Sequence, residues 1–225
     1  MGPYAKEELL ACVIARLLAG ARHAAIGASS PIPAAGAFLH RQSDPAFRVS
    51  LQQQRAANPL TEGSRELFDL AGQGRIDVFF LGGAQIDGAA NINLVRAEGK
   101  RFPGSFGSAF MYPIVPRVIL FREEHSRRTL VPKVEFVSAA GNPQALLTGK
   151  ALFSWQRERR RFRLESVHPG TSREEVVQST GFDFDVSDEV AVTAAPGAAE
   201  LKLLRTKVKA GIAPNYPEFA ARVWP

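Results

Sequence analysis

The chain has 225 residues, of which 45% are hydrophobic, and its formal net charge is +6. This length suits one large domain or a domain with an appendage, and the hydrophobic fraction is sufficient for a buried core. A single cysteine, Cys12, excludes a disulfide within the chain and is compatible with a reducing cytosol. No apolar run reaches membrane-spanning length, and residues 7–18 lack the features of a secretory signal. We therefore expect a cytoplasmic protein without a membrane partner.

Basic residues are spread along the chain except for the run RERRRFR at 157–163. Because this run lies between strand-like stretches at 151–155 and 162–167, its simplest interpretation is a solvated hairpin tip. A site for the anionic groups of a ligand is the alternative. We expect no nucleic-acid partner, since aromatic residues are not interleaved with the basic ones and no nucleic-acid-binding module is recognisable.

The four histidines indicate no metal site. They occur at positions 23, 40, 125 and 168, and none of them is part of an H-x-H or H-E-x-x-H pattern. His125 falls in a charged loop at 122–128, which we expect to be solvated.

In the first third of the chain, hydrophobic spacing predicts alternating helices and strands. Helices are expected at 5–18, 31–41 and 64–72, with Ser30 and Ser64 as N-caps of the last two and Pro31 in a first turn. Strands are expected at 23–26 and 47–51. The turn that begins at Gly27 joins a strand to a helix N-terminus, so it is either a cradle for an anion or an ordinary βα turn.

The most distinctive stretch is 77–108, DVFFLGGAQIDGAANINLVRAEGKRFPGSFGS. Residues 78–95 are predicted to form a strand, a turn at Asp87-Gly88 and a second strand. Gly82 and Gly83 stand inside the first strand, where glycine indicates a bulge or the close approach of another backbone or a ligand. The small-residue loop 103–108 precedes an apolar segment. If that segment is helical, the loop N–H groups can bind a phosphate, carboxylate or oxyanion.

The remaining elements are predicted more simply. Strands are expected at 118–121 and 133–137, and a hairpin at 151–155 and 162–167. A capping box at Ser172 favours a helix at 173–180 that ends at Gly181, and a last helix is expected at 199–208. The tail 206–225 ends in Trp224-Pro225 and is expected to pack on the core or on a partner. Together these elements predict a single α/β domain over 1–225, with a layered sheet flanked by helices.

Several of these strings, in this order and spacing, resemble the β subunit of family I CoA-transferases, especially the glutaconate and 3-oxoacid group. They are LGGAQID-G-x-x-NINLV, RFPGSFGS, VPKVEFVSAAG at 131–141, ESVHPGTSREEV at 165–176 and TGFDFD at 180–185. The resemblance covers about residues 24–205. It implies a related α subunit as partner, in a heterodimer or an α2β2 complex, with the active site between the subunits. It also implies acyl-CoA substrates, coenzyme A as co-substrate, and no permanently bound cofactor.

The resemblance further implies a nucleophilic glutamate just after the strand at 47–51, but here that strand runs into Gln52, with Gln53 nearly as good a match. Transfer needs a carboxylate that attacks the thioester and then holds CoA as a glutamyl thioester, which a neutral amide cannot do. The nearest downstream carboxylate, Glu62, is a less favoured substitute. Its position before the helix at 64–72 is more typical of a structural role.

The remaining site residues follow from the same resemblance. The N–H of Gly107 is expected to stabilise the thioester oxyanion or to hold the acyl carboxylate. The loop residues around it and the glycine motif are expected to contact CoA or the acyl group; these are Gly104, Ser105, Phe106, Ser108, Gly82, Gly83 and Gln85, together with Gly27.

Three functions remain open at this point. With Gln52 in the nucleophile position, the reaction would be hydrolysis or hydrolytic C–C cleavage of a CoA-linked ring, with a carboxylate supplied by the partner. Ordinary CoA transfer requires that a residue such as Glu62 reaches the substrate. The third alternative is a non-catalytic structural subunit that supports a catalytic α partner.

Overall fold

In a computed structural model, which describes residues 3–54 and 60–225, helices and strands alternate along most of the chain. In chain order they are α1 Lys6–Leu17, β1 His23–Ile26, α2 Pro31–Ser43, β2 Arg48–Leu51, α3 Ser64–Gly72, β3 Val78–Leu81, β4 Gln85–Asp87, β5 Ile92–Asn93, β6 Arg96–Ala97, β7 Lys100–Arg101, α4 Ser108–Ile114, β8 Arg117–Arg122, β9 Leu130–Val131, β10 Ala145–Thr148, β11 Ala151–Gln156, β12 Arg161–Val167, α5 Arg173–Ser179, β13 Ala191–Val192, α6 Ala198–Leu203, α7 Lys209–Ile212 and α8 Pro217–Val223. A π-helical turn, Leu204–Val208, joins α6 to α7. The chain forms two compact units, residues 1–80 with 195–225 and residues 81–194.

Parallel strands flanked by helices build the first unit. Strand β1 pairs in parallel with β2, with Ile26 opposite Leu51, and also with β3, with Ala25 opposite Phe79. Every residue of β1 is buried, as expected for a strand covered on both faces. Helices α1 and α2 pack closely, because a Cβ on Gly36 would lie only 2.4 Å from Ile14 Cγ2.

The C-terminal segment packs on the first unit's own core, as its apolar composition predicts. Trp224 is 4% exposed, and its indole N–H donates to Glu8 Oε1 at 3.1 Å. Arg205 donates to both oxygens of the same carboxylate. These bonds to the buried Glu8 tie the π-helical turn and the chain end to α1.

A mixed sheet and two smaller ones build the second unit. Strands β8 and β10 are parallel, whereas β10, β11 and β12 form an antiparallel meander, and β13 adds in parallel to β12. Residues 157–160 form the exposed tip of the β11–β12 hairpin, as predicted. Strand β4 lies between β5 and β9. The predicted α/β class, with sheet strands flanked by helices, is confirmed; the assignment of the chain as one domain stays a prediction.

Three predicted elements differ from the structure. The run 78–87 is not one strand, since β3 ends at Leu81 and β4 begins at Gln85 in another sheet. No strand forms at 133–137, because side chains replace the ladder there: Asp87 Oδ2 accepts from Val134 N, and Gln85 Oε1 accepts from Glu135 N. Ser64 is the first residue of α3 and Gly63 is its N-cap.

The prediction of a solvated His125 is wrong. Its side chain is buried, with Nδ1 2.7 Å from Thr148 Oγ1 and Nε2 3.0 Å from Thr180 Oγ1. Burial, with the charge of Lys150 as a second cause, lowers the pKa of His125 from 6.5 to about 4. The sequence shows only charged neighbours, whereas these two threonines come from distant parts of the chain.

Candidate functional site

The carboxyl ends of β1 and β2 carry two of the predicted site segments, the turn at 27–30 and the turn at 52–54. Because parallel strands present their carboxyl ends at the same edge of a sheet, the two turns are neighbours. A hydrogen bond joins them, from Ser29 N–H to Gln53 Oε1 at 3.4 Å. Ser29 has a φ of +57°, so this turn adopts a conformation that L-residues seldom take. Ser30 is the N-cap of α2 and Pro31 opens the helix, as predicted.

Gln52 extends the pairing of β2 by one residue, since its N–H donates to Ile26 O at 2.9 Å. Its side chain is half-buried, and the Nε2 atom is buried without a hydrogen-bond partner among the described residues. A buried amide nitrogen without an acceptor costs about 1–3 kcal/mol. The turn therefore has a hydrogen-bond donor that a ligand or a second chain can satisfy.

A buried histidine–serine pair fixes β2 to β1 just before this turn. His23 Nδ1–H donates to Arg75 O at 2.8 Å, and its Nε2 lies 2.8 Å from Ser50 Oγ. Burial lowers the pKa of His23, so the ring is neutral and Nε2 accepts the hydroxyl proton of Ser50. Sequence reasoning missed this pair, because the two residues are 27 positions apart and form no motif.

Glu62 has an exposed side chain. Its carboxylate is 67% exposed and lies 3.7 Å from Arg65. The backbone N–H of Glu62 donates to Glu66 Oε2, which fits the expected structural role at the start of α3.

Tight backbone contacts account for the two glycines of the motif that follows β3. A Cβ on Gly83 would lie 2.7 Å from Gln85 O, and a Cβ on Gly82 would lie 3.1 Å from Phe121 O. Of the two predicted alternatives, the close approach is therefore to backbone. Their predicted contact with CoA stays a prediction.

Gln85 belongs to a buried polar network. Its Nε2 donates to Glu135 Oε1 at 2.9 Å, and its Oε1 accepts from Asn93 Nδ2 at 2.8 Å and from Glu135 N at 3.1 Å. The exposed Glu135 carboxylate also accepts from Glu98 N, and this bond, followed by the one from Gln85, lowers its pKa. Sequence reasoning missed Glu135, which stands in a stretch predicted as a strand.

The loop before α4 presents the backbone of Gly107. Gly104 and Phe106 have φ values of +120° and +48°, and Ser105 O accepts from Ser108 N. The carbonyl of Gly107 accepts from Met111 N, whereas its own N–H donates to no acceptor in the part of the chain that the structure describes. Gly107 is the N-cap of α4, so this free N–H points out of the helix end, as the predicted oxyanion role requires.

Within residues 3–54 and 60–225, no group of three His, Cys, Asp or Glu side chains could hold a metal ion. Over the same ranges, no helix is long and apolar enough to cross a membrane.

The coenzyme A transferase family profile matches residues 46–179 of the chain, which include Gln52 and Gly107. The chain belongs to the coenzyme A transferase family. The resemblance seen in the sequence motifs is thereby confirmed.

Two relatives are transferases that are named as the β-type subunits of their enzymes. The 3-oxoadipate CoA-transferase subunit of Pseudomonas knackmussii is 27% identical, over 91% of this chain and 94% of that protein. The glutaconate CoA-transferase subunit of Acidaminococcus fermentans is 29% identical, over 60% of this chain and 58% of that protein.

A solved structure with a different activity in its name has the same fold. The decarboxylase AibA/AibB has a chain that superposes with a TM-score of 0.78 at 25% identity, covering 89% of this chain and 93% of that one. Proteins similar to this chain therefore include both transferases and a decarboxylase.

Proposed function

We propose that this chain is the β subunit of a two-component cytoplasmic enzyme that acts on acyl-CoA thioesters, with a related α subunit as its partner. We further propose that it does not transfer CoA through a glutamyl thioester of its own. The reaction is then hydrolysis of the thioester or hydrolytic cleavage of a C–C bond in a CoA-linked ring. Coenzyme A is a substrate or product, and no permanent cofactor is needed.

Gln52 carries this proposal. It lies at the carboxyl end of β2, where family transferases place their nucleophilic glutamate, and its buried Nε2 has no partner among the described residues. A carboxamide can bind a substrate carbonyl or a water molecule, but it cannot form the mixed anhydride and acyl-thioester of the transfer mechanism. A decarboxylase of the same fold supports a reaction other than transfer.

The catalytic carboxylate is proposed to come from the α subunit. The transferase relatives are each named as one subunit of an enzyme, which implies a second subunit in those proteins. The second unit of this chain exposes apolar side chains that would suit an interface, among them Phe110 and Ile114 on one face of α4 and Val137. A carboxylate from the partner would activate water as a general base.

Gly107 is proposed to bind the thioester oxygen. Its N–H has no acceptor in the described part of the chain, and a donor fixed in this way stabilises the negative charge that develops on the carbonyl oxygen during attack. Removal of one such donor typically lowers kcat by about 100- to 1,000-fold.

The test is intact-protein mass spectrometry of this chain, co-expressed with its α subunit, after incubation with a panel of acyl-CoA compounds and borohydride. We expect acyl-CoA to be consumed while this chain keeps its mass. The variant Gln52→Glu should acquire a glutamyl thioester that borohydride reduces to the alcohol, whereas the matched control Gln53→Glu should not.

Two results would contradict the proposal. A borohydride-reduced glutamate in the unaltered chain would establish ordinary CoA transfer, and peptide mapping would identify the nucleophile. Full turnover by an assembled complex carrying Gly107→Pro, with Gly107→Ala as the control that keeps the N–H, would instead favour a non-catalytic role for this chain.

A further inference from the structure

An open pocket of about 640 Å³ lies beside the turn that carries Gln52. Phe38 and Arg41 of α2 form one side of it, Gln53 and Gln54 form another, and Asn215 before α8 forms a third. This volume is within the usual range for small-molecule sites.

Arg41 is the only charged side chain that the described residues contribute to the pocket. Its guanidinium carbon lies 4.4 Å from the centroid of the Phe38 ring. Phe38 is in turn held by close packing, because a Cβ on Gly211 would come within 2.8 Å of its ring. Arg41 forms no ion pair with any carboxylate of the described residues. Stacking therefore fixes the guanidinium plane and leaves its N–H edge available to an oxyanion.

Three carboxamides complete the lining. Gln53 Oε1 accepts from Ser29 N–H, which leaves the amide nitrogen of Gln53 as a donor. The side chains of Gln54 and Asn215 make no hydrogen bond to another residue that the structure describes, and Gln54 is half-buried. One cation and several amide donors around an apolar ring suit an anionic group attached to an organic body.

We propose that this pocket binds an anionic oxygen group of the acyl-CoA substrate through Arg41. The inference rests on the proposed function, because it places the substrate of that reaction beside Gln52. Two parts of the substrate carry such a group: the phosphates at the nucleotide end of CoA, and a carboxylate at the far end of a dicarboxylic acyl chain. Both chemistries are recognised by the same fork of N–H donors.

The experiment uses the assembled complex of this chain with its α subunit. The variant Arg41→Gln keeps part of the aliphatic stem over Phe38 and removes the charge. Its matched control is Arg157→Gln, which makes the same change of charge at the exposed hairpin tip of the second unit. Binding of adenosine 3′,5′-bisphosphate and of inorganic phosphate is measured by calorimetry, and turnover is compared for monocarboxylic and dicarboxylic acyl-CoA compounds.

If the pocket binds the nucleotide end, Arg41→Gln should weaken adenosine 3′,5′-bisphosphate by about 10- to 100-fold and raise KM equally for both acyl classes. If it binds the acyl carboxylate, the variant should lose about the same factor in kcat/KM for dicarboxylic substrates only. Binding and turnover identical to those of Arg157→Gln would overturn the inference while leaving the proposed function intact. Failure of the unaltered complex to consume any acyl-CoA would instead refute the proposed function, and the phosphate titrations would still test the pocket.

Discussion

The turn after β2 and the glycine motif after β3 treat their polar groups in opposite ways. In the motif, Asp87 is 2% exposed and accepts hydrogen bonds from Ala89 N, Asn91 N, Asn91 Nδ2 and Val134 N. In the turn, the Gln52 side-chain nitrogen is buried without a partner among the described residues. The more conspicuous sequence pattern thus belongs to a network that satisfies itself, and the available donor lies in the plainer segment.

This difference separates the requirements of folding from those of binding. Gly83 is needed because backbone passes too close for a side chain, whereas a Cβ on Gly27 would meet its nearest atom, Ser30 Oγ, at an ordinary 3.7 Å. Glycine therefore has a structural explanation in the motif and leaves open space in the turn. Substitutions in the two regions should break or sharpen this contrast.

The largest effect is expected for Asp87→Ala. It would leave four donors without their acceptor, and we expect the free energy of unfolding to fall by about 3–5 kcal/mol. Urea denaturation measures the loss. The matched control is Asp69→Ala on the exposed face of α3, which should change stability by less than about 0.5 kcal/mol. Equal losses for the two variants would mean that Asp87 does not hold the motif together.

The buried histidine of the second unit should make stability depend on pH. The pKa of His125 falls from 6.5 to about 4 on folding, so below pH 6.5 the unfolded chain binds a proton that the folded chain does not. Stability is then lost as the pH falls from about 6.5 to 4, by up to about 3 kcal/mol, and no further loss from this group occurs below that.

Urea denaturation at a series of pH values, compared with His125→Gln, isolates this contribution. The variant should show a smaller loss between pH 6.5 and 4, because its amide does not titrate. Charged neighbours of the ring, Lys150, His168 and Glu175, are the same in both proteins. An unchanged pH slope in the variant would show that His125 is protonated alike in both states.

The two glycines should respond differently to the same methyl group. Gly83→Ala should destabilise the protein by about 1–3 kcal/mol, because the added carbon would lie 2.7 Å from Gln85 O. Gly27→Ala should stay within about 1 kcal/mol of the original, since its space is open. Thermal unfolding of both variants measures the difference, and a large loss for Gly27→Ala would show that the turn has less room than the contacts indicate.

The smallest effect is expected for Glu62→Gln. The carboxylate is 67% exposed, and its pair with Arg65 at 3.7 Å should contribute less than about 0.5 kcal/mol. Turnover of acyl-CoA by the complex should also be unchanged. A loss of turnover with normal stability would restore Glu62 as the substitute nucleophile.

The sequence determined most of the fold by itself. Helical periodicity located α1, α2 and α3 to within two residues at each end, and Ser172 caps α5 through Glu175 N as its motif predicts. The hairpin of β11 and β12 followed from two alternating stretches around a basic tip. These features depend on residues close together in the chain, so their patterns are visible in the sequence. The family resemblance, confirmed by the family match over residues 46–179, came from the same kind of local string.

Only the tertiary structure decided which polar residues are satisfied and which remain available. Glu135 completes the network of Gln85 from 50 positions away, and Thr180 reaches His125 from 55. Arg41 and Asn215 line one pocket although 174 positions separate them, by subtraction of their numbers. No local pattern records such pairs, because hydrogen bonding and burial depend on which distant segments the fold brings together.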